Sequence, residues 1–384
     1  TATITYTDIN GCQDTQLVTV NALPVISGTA SVCVGLTTQL SGTGSPAATG
    51  AWNTSAAAVA TVSSTGLVTG VSAGTVTITY TDINGCQDTQ LVTVNALPVI
   101  SGIAAVCVGL TTQLTGTGTP AVSGAWSSSD LAVATISATG LVTGVTGGTA
   151  TITYTDINGC QDTQLVTINP TPVISGTLDI CVGSSTQLSG SNTPASSGAW
   201  STSDQTIATV SSTGEVTGVA AGNTDITYTD IAGCTVTVVF TVTPPPPITG
   251  VLSTCIGSTT VLSGTGTPAT LNPWKSSNTA VALVDDNGAV TGVSAGNAVI
   301  TFTDANGCFN TATVTIKAAP VITGDLEICV GASTTLSGSG TPASSGAWVS
   351  SNIAVATVDN SGLVTAVTGG TSVITYTDNE GLSL

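Results

Sequence analysis

Apolar and polar residues alternate along short stretches of this chain, and each stretch ends at a turn. In residues 98–171, Ala150–Tyr154 and Gln164–Ile168 alternate apolar residues with Thr or Gln, and Asn158 and Gly159 stand between them. A period of two residues is typical of a half-buried strand, and Asn-Gly supplies the positive φ of a hairpin turn. No window shows the 3.6-residue apolar period of a helix. The pattern predicts an all-β fold.

The same stretch contains seven such strand patterns, separated by Gly, Asn or Pro. The predicted strands are Val99–Ser101 with Ala105–Val108 as one broken strand, Thr111–Thr115, Gly124–Ser127, Val133–Ser137, Leu141–Val145, Ala150–Tyr154 and Gln164–Ile168. Seven short strands within one stretch, with a Trp on the third, describe a small immunoglobulin-like β-sandwich. The Trp is expected to be the largest element of its core.

The whole chain repeats this unit without an insertion or deletion, at a step of 74 residues. The tryptophans that mark the step are Trp52, Trp126, Trp200, Trp274 and Trp348. The predicted domains are the last two strands of a truncated unit at 1–23, complete units at 24–97, 98–171, 172–245 and 246–319, and a unit at 320–384 that lacks its last strand. The units that begin at residues 24, 98, 172, 246 and 320 are called repeat 1 to repeat 5. The sequence therefore predicts tandem immunoglobulin-like β-sandwiches in a linear, head-to-tail rod, cut from a longer array.

Charge composition excludes several classes of partner. Lys275 and Lys317 are the only basic residues against 20 Asp and Glu, which gives a formal net charge of −18. With only two basic residues the chain has no surface that neutralises phosphates, so nucleic acids and anionic lipid surfaces are excluded as partners. Thr, Ser and Gly interrupt every apolar run, so membrane insertion is not expected.

The chain also lacks His, the commonest general base and metal ligand. One carboxylate recurs after a strand of every unit, at Asp8, Asp82, Asp156, Asp230, Asp304 and Asp378. A lone carboxylate in that place is typical of a turn and not of a catalytic base. No enzyme activity and no cofactor are expected.

The first acidic hairpin has a second interpretation, as a calcium loop. Asp8, Asn10 and Asp14 would be the ligands, since they place oxygens at alternating positions. Later copies lose these groups, for example at Ala232 and Val236. A hairpin turn is therefore the favoured interpretation, with calcium binding as the alternative.

Ten cysteines without His or a Cys-x-x-Cys motif predict disulfides. In a sandwich of this kind Cys33 lies at the C-terminal pole and Cys86 at the N-terminal pole, roughly 25 Å apart. A disulfide requires Cα atoms within about 7 Å, which disfavours that pair. Stacked units would instead pair Cys33 with Cys160, Cys107 with Cys234, and Cys181 with Cys308. Pairing within one unit and free thiols are the alternatives. The cysteines left for partners outside this segment, or left as thiols, are Cys12, Cys86, Cys255 and Cys329.

Three motifs carry a resemblance to a known family. They are Cys-Val-Gly-x-Thr-Thr-x-Leu from Cys33, Ala-Thr-Val-x-x-x-Gly-x-Val-Thr-Gly-Val from Ala60, and Gly-Thr-x-x-Ile-Thr-Tyr-Thr-Asp from Gly74. Together they resemble bacterial immunoglobulin-like group 2 domains, which are stacked in intimin- and invasin-type adhesins. The Cys-bearing form is similar to arrays in large surface proteins of Bacteroidota, including gliding-motility adhesins. Leu382 departs from this form, since it stands where Cys is expected.

The resemblance implies an extracellular array at the cell surface, exported by type IX secretion. The function that fits best is the stalk of a large adhesin, with neighbouring repeats as the main partners. Surface glycans or other cells would be bound by regions outside this segment. The alternatives are a self-polymerising filament subunit and a polysaccharide-binding module.

Overall fold

The computed structural model describes residues 1–379, 381 and 383. These residues form strands joined by turns and contain no helix, which confirms the all-β prediction. In particular, none of them lies in a helix that is long and apolar enough to cross a membrane. The predicted Leu382 departure lies outside the described residues.

The first strands form a hairpin of β1 (Ala2–Thr7) and β2 (Gln13–Val18), paired antiparallel. The strands of repeat 1 are β3 (Ile26–Gly28), β4 (Ser31–Cys33), β5 (Thr37–Gly42), β6 (Trp52–Thr54), β7 (Ala60–Val62), β8 (Leu67–Gly70), β9 (Gly74–Thr81) and β10 (Gln87–Asn95). Those of repeat 2 are β11 (Ile100–Gly102), β12 (Ala105–Cys107), β13 (Thr111–Gly116), β14 (Trp126–Ser128), β15 (Ala134–Ile136), β16 (Leu141–Gly144), β17 (Gly148–Thr155) and β18 (Gln161–Asn169).

The later repeats follow the same order with two differences: the strand that matches β5 is split in repeats 3 and 5, and the described residues of repeat 5 include no strands that match β4 and β10. The strands of repeat 3 are β19 (Ile174–Ser175), β20 (Asp179–Cys181), β21 (Ser185–Gln187), β22 (Ser189–Gly190), β23 (Trp200–Thr202), β24 (Ala208–Val210), β25 (Glu215–Gly218), β26 (Gly222–Thr229) and β27 (Thr235–Thr243). Those of repeat 4 are β28 (Ile248–Gly250), β29 (Ser253–Cys255), β30 (Thr259–Gly264), β31 (Trp274–Ser276), β32 (Ala282–Val284), β33 (Ala289–Gly292), β34 (Gly296–Thr303) and β35 (Phe309–Lys317). Those of repeat 5 are β36 (Ile322–Thr323), β37 (Ser333–Thr335), β38 (Ser337–Gly338), β39 (Trp348–Ser350), β40 (Ala356–Val358), β41 (Leu363–Ala366) and β42 (Ile374–Tyr376).

Two sheets face each other in repeat 1, with strand orders β3-β5-β8-β7 and β4-β10-β9-β6. Repeats 2 and 4 have the same two orders. The first strand is broken, because β3 pairs antiparallel with β5 in one sheet and β4 pairs parallel with β10 in the other. Gly28 lies at the break with φ +124°, and a side chain there would meet the Gln39 carbonyl oxygen and Leu40. Only glycine fits this crossing between the sheets.

The core of each repeat lies between the two sheets. In repeat 1, Leu40, Val68, Ile78 and Val92 are fully buried. They come from strands of both sheets, so alternation along each strand delivers every second residue to one shared interior.

Each Trp packs against an aromatic residue of the neighbouring strand. The ring centroids of Trp52 and Tyr80 are 4.7 Å apart, and the other four pairs repeat this contact at 4.6–4.7 Å. Trp274 and Trp348 are buried, whereas the first three tryptophans are half-buried. Each Trp lies on an edge strand of its sheet, so the pair packs at that side of the core.

Repeat 5 differs from the other four along one edge. Among its described residues, no strand follows β42, and a groove of about 780 Å³ runs along its interior. The groove is lined by Ile322, Ile328, Leu336, Val364, Ala366 and Ile374. In repeat 1 five of the six matching positions, all except Gly70, belong to the core that includes Val92 and Val94 of β10, and a Cβ at Gly70 would lie 2.9 Å from Val94. The groove therefore corresponds to the place that the last strand fills in the other repeats.

The chain divides into two compact units. The first comprises residues 1–173, 191–196 and 229–236, and so contains the N-terminal hairpin, repeats 1 and 2 and two loops of repeat 3. The second comprises residues 174–190, 197–228 and 237–384, and so contains the rest of repeat 3 with repeats 4 and 5.

Candidate functional site: the cysteine junctions

Three disulfides join consecutive repeats. They connect Cys33 to Cys160, Cys107 to Cys234, and Cys181 to Cys308, with Cα–Cα distances of 5.6, 5.6 and 5.4 Å. Each spans 127 residues of sequence. The first two lie in the first compact unit and the third in the second. These are the pairs that the pole geometry predicts, and Cys33 is not joined to Cys86.

The first cysteine of each pair ends the second half of the broken strand. Cys33 lies opposite Asn95, the last residue of β10, and Val34 N–H donates to the Asn95 carbonyl at 3.0 Å. Leu36 N–H then donates back to the Cys33 carbonyl at 3.0 Å, closing a turn. Cys33 is thereby fixed beside the point where the chain leaves repeat 1.

The second cysteine ends a short loop between the two longest strands. We call the stretch from the recurring Asp to this cysteine, such as 156–160, the Asp-to-Cys loop. Asp156 is buried, and its Oδ1 accepts the N–H groups of Asn158 at 2.9 Å and Cys160 at 2.8 Å. Asp156 N–H donates to the Cys160 carbonyl at 2.9 Å. The carboxylate, predicted as a turn former, thus holds both ends of the loop that presents the thiol.

The disulfides are largely shielded from solvent. Cys160, Cys234 and Cys308 are at most 1% exposed, and Cys33 and Cys107 are also buried. Cys181 is half-buried. A reductant therefore has little direct access to these sulfur atoms in the folded state.

The remaining four cysteines lie outside the three disulfides. Cys12 and Cys329 are exposed, and Cys86 and Cys255 are half-buried. Cys12 and Cys86 belong to loops at the start of the array, Cys255 ends β29, and Cys329 lies at the corresponding position of repeat 5, which is not in a strand.

The candidate calcium ligands are engaged in the hairpin turn. Asp8 Oδ1 accepts the N–H groups of Asn10 and Cys12, at 2.9 and 2.8 Å, and Asp14 Oδ1 accepts Thr15 N–H at 2.9 Å. No cluster of three or more His, Cys, Asp or Glu side chains suited to a metal ion occurs among the described residues. Calcium binding stays a hypothesis.

Two other aspartates have altered acidity, and both are turn residues. The Thr206 hydroxyl lowers the pKa of Asp204, with help from Thr206 N–H. The Ser361 hydroxyl, followed by Leu363 N–H, lowers the pKa of Asp359. These hydrogen bonds favour the ionised form, which suits a turn acceptor and not a proton donor.

A further structural role was not recognised in the sequence. The positions matching Asp14 in repeats 1 and 2 are Asp88 and Asp162, whose Oδ2 atoms accept the N–H groups of Ile26 and Ile100 at 2.7 Å. This bond ties the last hairpin of a repeat to its first strand. The sequence places the two groups 62 residues apart, so only the folded topology shows the pairing.

Comparisons with known proteins identify a family. The family described as bacterial Ig-like domain (group 2) matches residues 19–94, 93–167, 162–242, 239–316 and 312–383. Ice-binding protein 1 of Shewanella frigidimarina (strain NCIMB 400) is 30% identical over 84% of this chain. The chain spans 42% of the length of that relative.

Solved structures give more distant likenesses. Invasin, a bacterial integrin-binding protein, is 15% identical, with 86% of this chain and 78% of that chain covered and a TM-score of 0.27. The S-layer protein rSbsC(31–844) is 13% identical, with 92% and 63% covered and a TM-score of 0.20.

Proposed function

Because the chain belongs to the bacterial Ig-like domain (group 2) family, we propose that it is a structural stalk segment of a large extracellular adhesin. Tandem Ig-like repeats of this family fit an extracellular, adhesin-like or structural role, and they point to a non-enzymatic surface protein. In the proposed role, the repeats hold a binding tip away from the cell surface, and the tip lies outside this segment.

The observation that carries the proposal is the covalent link between consecutive repeats. Three disulfides each reach from one repeat into the next, which a set of independent binding modules does not need. A linear repeat gains length by adding copies without new chemistry. The net charge of −18 supports the same role, since like charge discourages neighbouring stalks from sticking together.

The ice-binding relative is relevant to where a ligand would be bound. Its name assigns ice binding to that protein, of which this chain matches less than half. We propose that these repeats contribute reach, and that contact with ice or another ligand belongs to other regions. Type IX secretion and a part in gliding motility are further proposals, and they rest on the resemblance of the Cys-bearing motifs alone.

The experiment measures the adhesion of cells that display the protein. It distinguishes a role in extending the binding tip from a role in binding itself. Deleting residues 98–171 shortens the array by one repeat and leaves Cys33 in phase to pair with Cys234. We expect weaker adhesion with undiminished surface display. Replacing repeat 2 by a second copy of repeat 4 keeps the length, and adhesion should return to its original level.

The replacement variant, which has the original length, distinguishes a stalk from an array of binding modules. Loss of adhesion in the chain of unchanged length would assign binding to repeat 2 and would refute a pure stalk. A deletion that leaves adhesion unchanged would also count against the stalk, because reach would then be irrelevant.

A further inference from the structure

The Asp-to-Cys loop has the same geometry whether or not its cysteine is in a disulfide. In repeat 2, where Cys160 is bridged, the Asp156 carboxylate accepts two loop N–H groups at 2.9 and 2.8 Å. In repeat 1, where Cys86 lies outside the three disulfides, Asp82 accepts the N–H groups of Asn84 and Cys86 at the same 2.9 and 2.8 Å.

The N-terminal hairpin contains the same loop outside any sandwich core. Both of its strands are exposed along their whole length, and Cys12 is exposed. Asp8 nevertheless accepts the N–H groups of Asn10 and Cys12 at 2.9 and 2.8 Å. Neither a surrounding sandwich nor a disulfide is needed for this loop, so the carboxylate is the feature that all copies share.

We propose that Asp156, Asp230 and Asp304 are positioning residues for disulfide formation. Each carboxylate shapes the loop before the bond exists and holds the thiol of Cys160, Cys234 or Cys308 at the pole that meets the preceding repeat. Each loop thereby favours pairing of its cysteine with the cysteine of the preceding repeat over pairing with the other cysteines of the chain. This inference goes beyond the stalk proposal and does not depend on it.

The covalent step is a pair of thiol–disulfide exchanges with a small disulfide oxidant, such as glutathione disulfide. One cysteine thiolate attacks the oxidant, forms a mixed disulfide and releases one glutathione thiolate. The second cysteine thiolate attacks the protein sulfur of the mixed disulfide and releases the second glutathione. Two protein thiols are oxidised by two electrons and one glutathione disulfide is reduced. A fixed loop raises the rate of the second attack, because its sulfur already lies within reach.

The experiment is oxidative refolding of the reduced 384-residue chain in a glutathione buffer. Samples are quenched over time and the pairs are counted by non-reducing peptide mapping. We expect Asp156→Ala to slow formation of the Cys33–Cys160 bond roughly tenfold, the size of effect that loss of hydrogen bonds to a charged acceptor produces. The Cys107–Cys234 and Cys181–Cys308 bonds should form at unchanged rates in the same molecules.

Two further variants make the test specific. Asp82→Ala removes the same loop carboxylate from the repeat that contains Cys33, but its own Cys86 lies outside the three disulfides. All three bonds should then form at the wild-type rate. Asp156→Asn keeps an oxygen that can accept the same N–H groups, and it should restore fast pairing.

Each other outcome overturns the proposal. Wild-type pairing in Asp156→Ala would show that the loop does not direct the bond. An equal delay in Asp82→Ala would mean that general loss of stability is the cause. Hydrogen exchange along β18 reports whether repeat 2 folds in Asp156→Ala. Should it not fold, Asp156→Asn decides alone, because slow pairing in that variant contradicts a role based on the accepting oxygen.

Discussion

At the scale of single residues, the strictest packing requirement is for a glycine directly beneath a buried aromatic ring. These glycines recur at Gly42, Gly116, Gly190, Gly264 and Gly338. A Cβ at Gly338 would lie 2.5 Å from Cδ1 of Tyr376, whose ring is buried. The ring cannot retreat, because Trp348 packs against it with ring centroids 4.7 Å apart.

The corresponding prediction compares two glycines of repeat 5. We expect Gly338→Ala to destabilise the repeat by about 1–3 kcal/mol, the usual cost of overpacking a core. Gly369→Ala is the matched control, because a Cβ there meets nothing within 4 Å. Hydrogen exchange along β39 and β41 measures the local free energy of opening. Equal exchange in the two variants would show that the ring can move aside.

The sequence predicts the positions of these residues but not their reason. The 74-residue step marks Trp, Cys and Asp as fixed features, and their residue types suggest packing, pairing and turns. Glycine usually indicates a turn, whereas Gly338 lies within β38. Its role depends on a ring from a strand of the opposite sheet, and no local pattern reveals that contact.

At the scale of strands, alternation predicts most of the fold. The predicted strand Thr111–Thr115 matches β13 (Thr111–Gly116), and the predicted break in the first strand separates β11 from β12. Repeat 5 shows the limit of this reasoning. Residues 327–329 match the position of β12, yet they form no strand. Strand β12 needs a parallel partner, β18, and strand formation at an edge depends on that long-range pairing.

The groove of repeat 5 should therefore accept a strand added in solution. A synthetic peptide with the sequence of β10 would supply the missing strand, Gln-Asp-Thr-Gln-Leu-Val-Thr-Val-Asn. It includes Val92 and Val94, whose side chains are buried in repeat 1. Burial of two valines contributes about 3–6 kcal/mol before the cost of ordering the peptide. We expect saturable binding by fluorescence anisotropy and slower hydrogen exchange at residues 374–376.

The control peptide has Asn at both valine positions. It keeps the backbone hydrogen-bonding groups but cannot fill the groove, so it should not bind. Equal binding of the two peptides would indicate adhesion to an exposed edge and would argue against strand insertion.

At the scale of the whole molecule, the covalent connections overlap. The loop closed by Cys33 and Cys160 contains Cys107, and the loop closed by Cys107 and Cys234 contains Cys181. In the chain-entropy account each closure of this length contributes about 4–5 kcal/mol by restricting the unfolded chain. The overlap also joins residues 33 to 308 into one continuous set of covalent loops.

Such a set redirects a pulling force. Tension applied at the two ends passes from Cys33 straight to Cys160, follows the backbone to Cys181, and crosses to Cys308. Residues 34–159 and 182–307 carry none of the load. In single-molecule stretching, the oxidised chain should reach only about a third of the extended length of the reduced chain.

A double variant, Cys181→Ser with Cys308→Ser, supplies the matched comparison. It removes one shortcut, so the load passes from Cys160 back along residues 108–159, crosses the remaining Cys107–Cys234 bond and follows residues 235–307. This path is longer than that of the parent, so the oxidised variant should extend further. Full extension of the oxidised parent chain would mean that the load does not cross the bonds. In the expected case, most of the backbone is slack under tension. The slack parts of the repeats could then unfold and refold while the molecule that they belong to keeps its length.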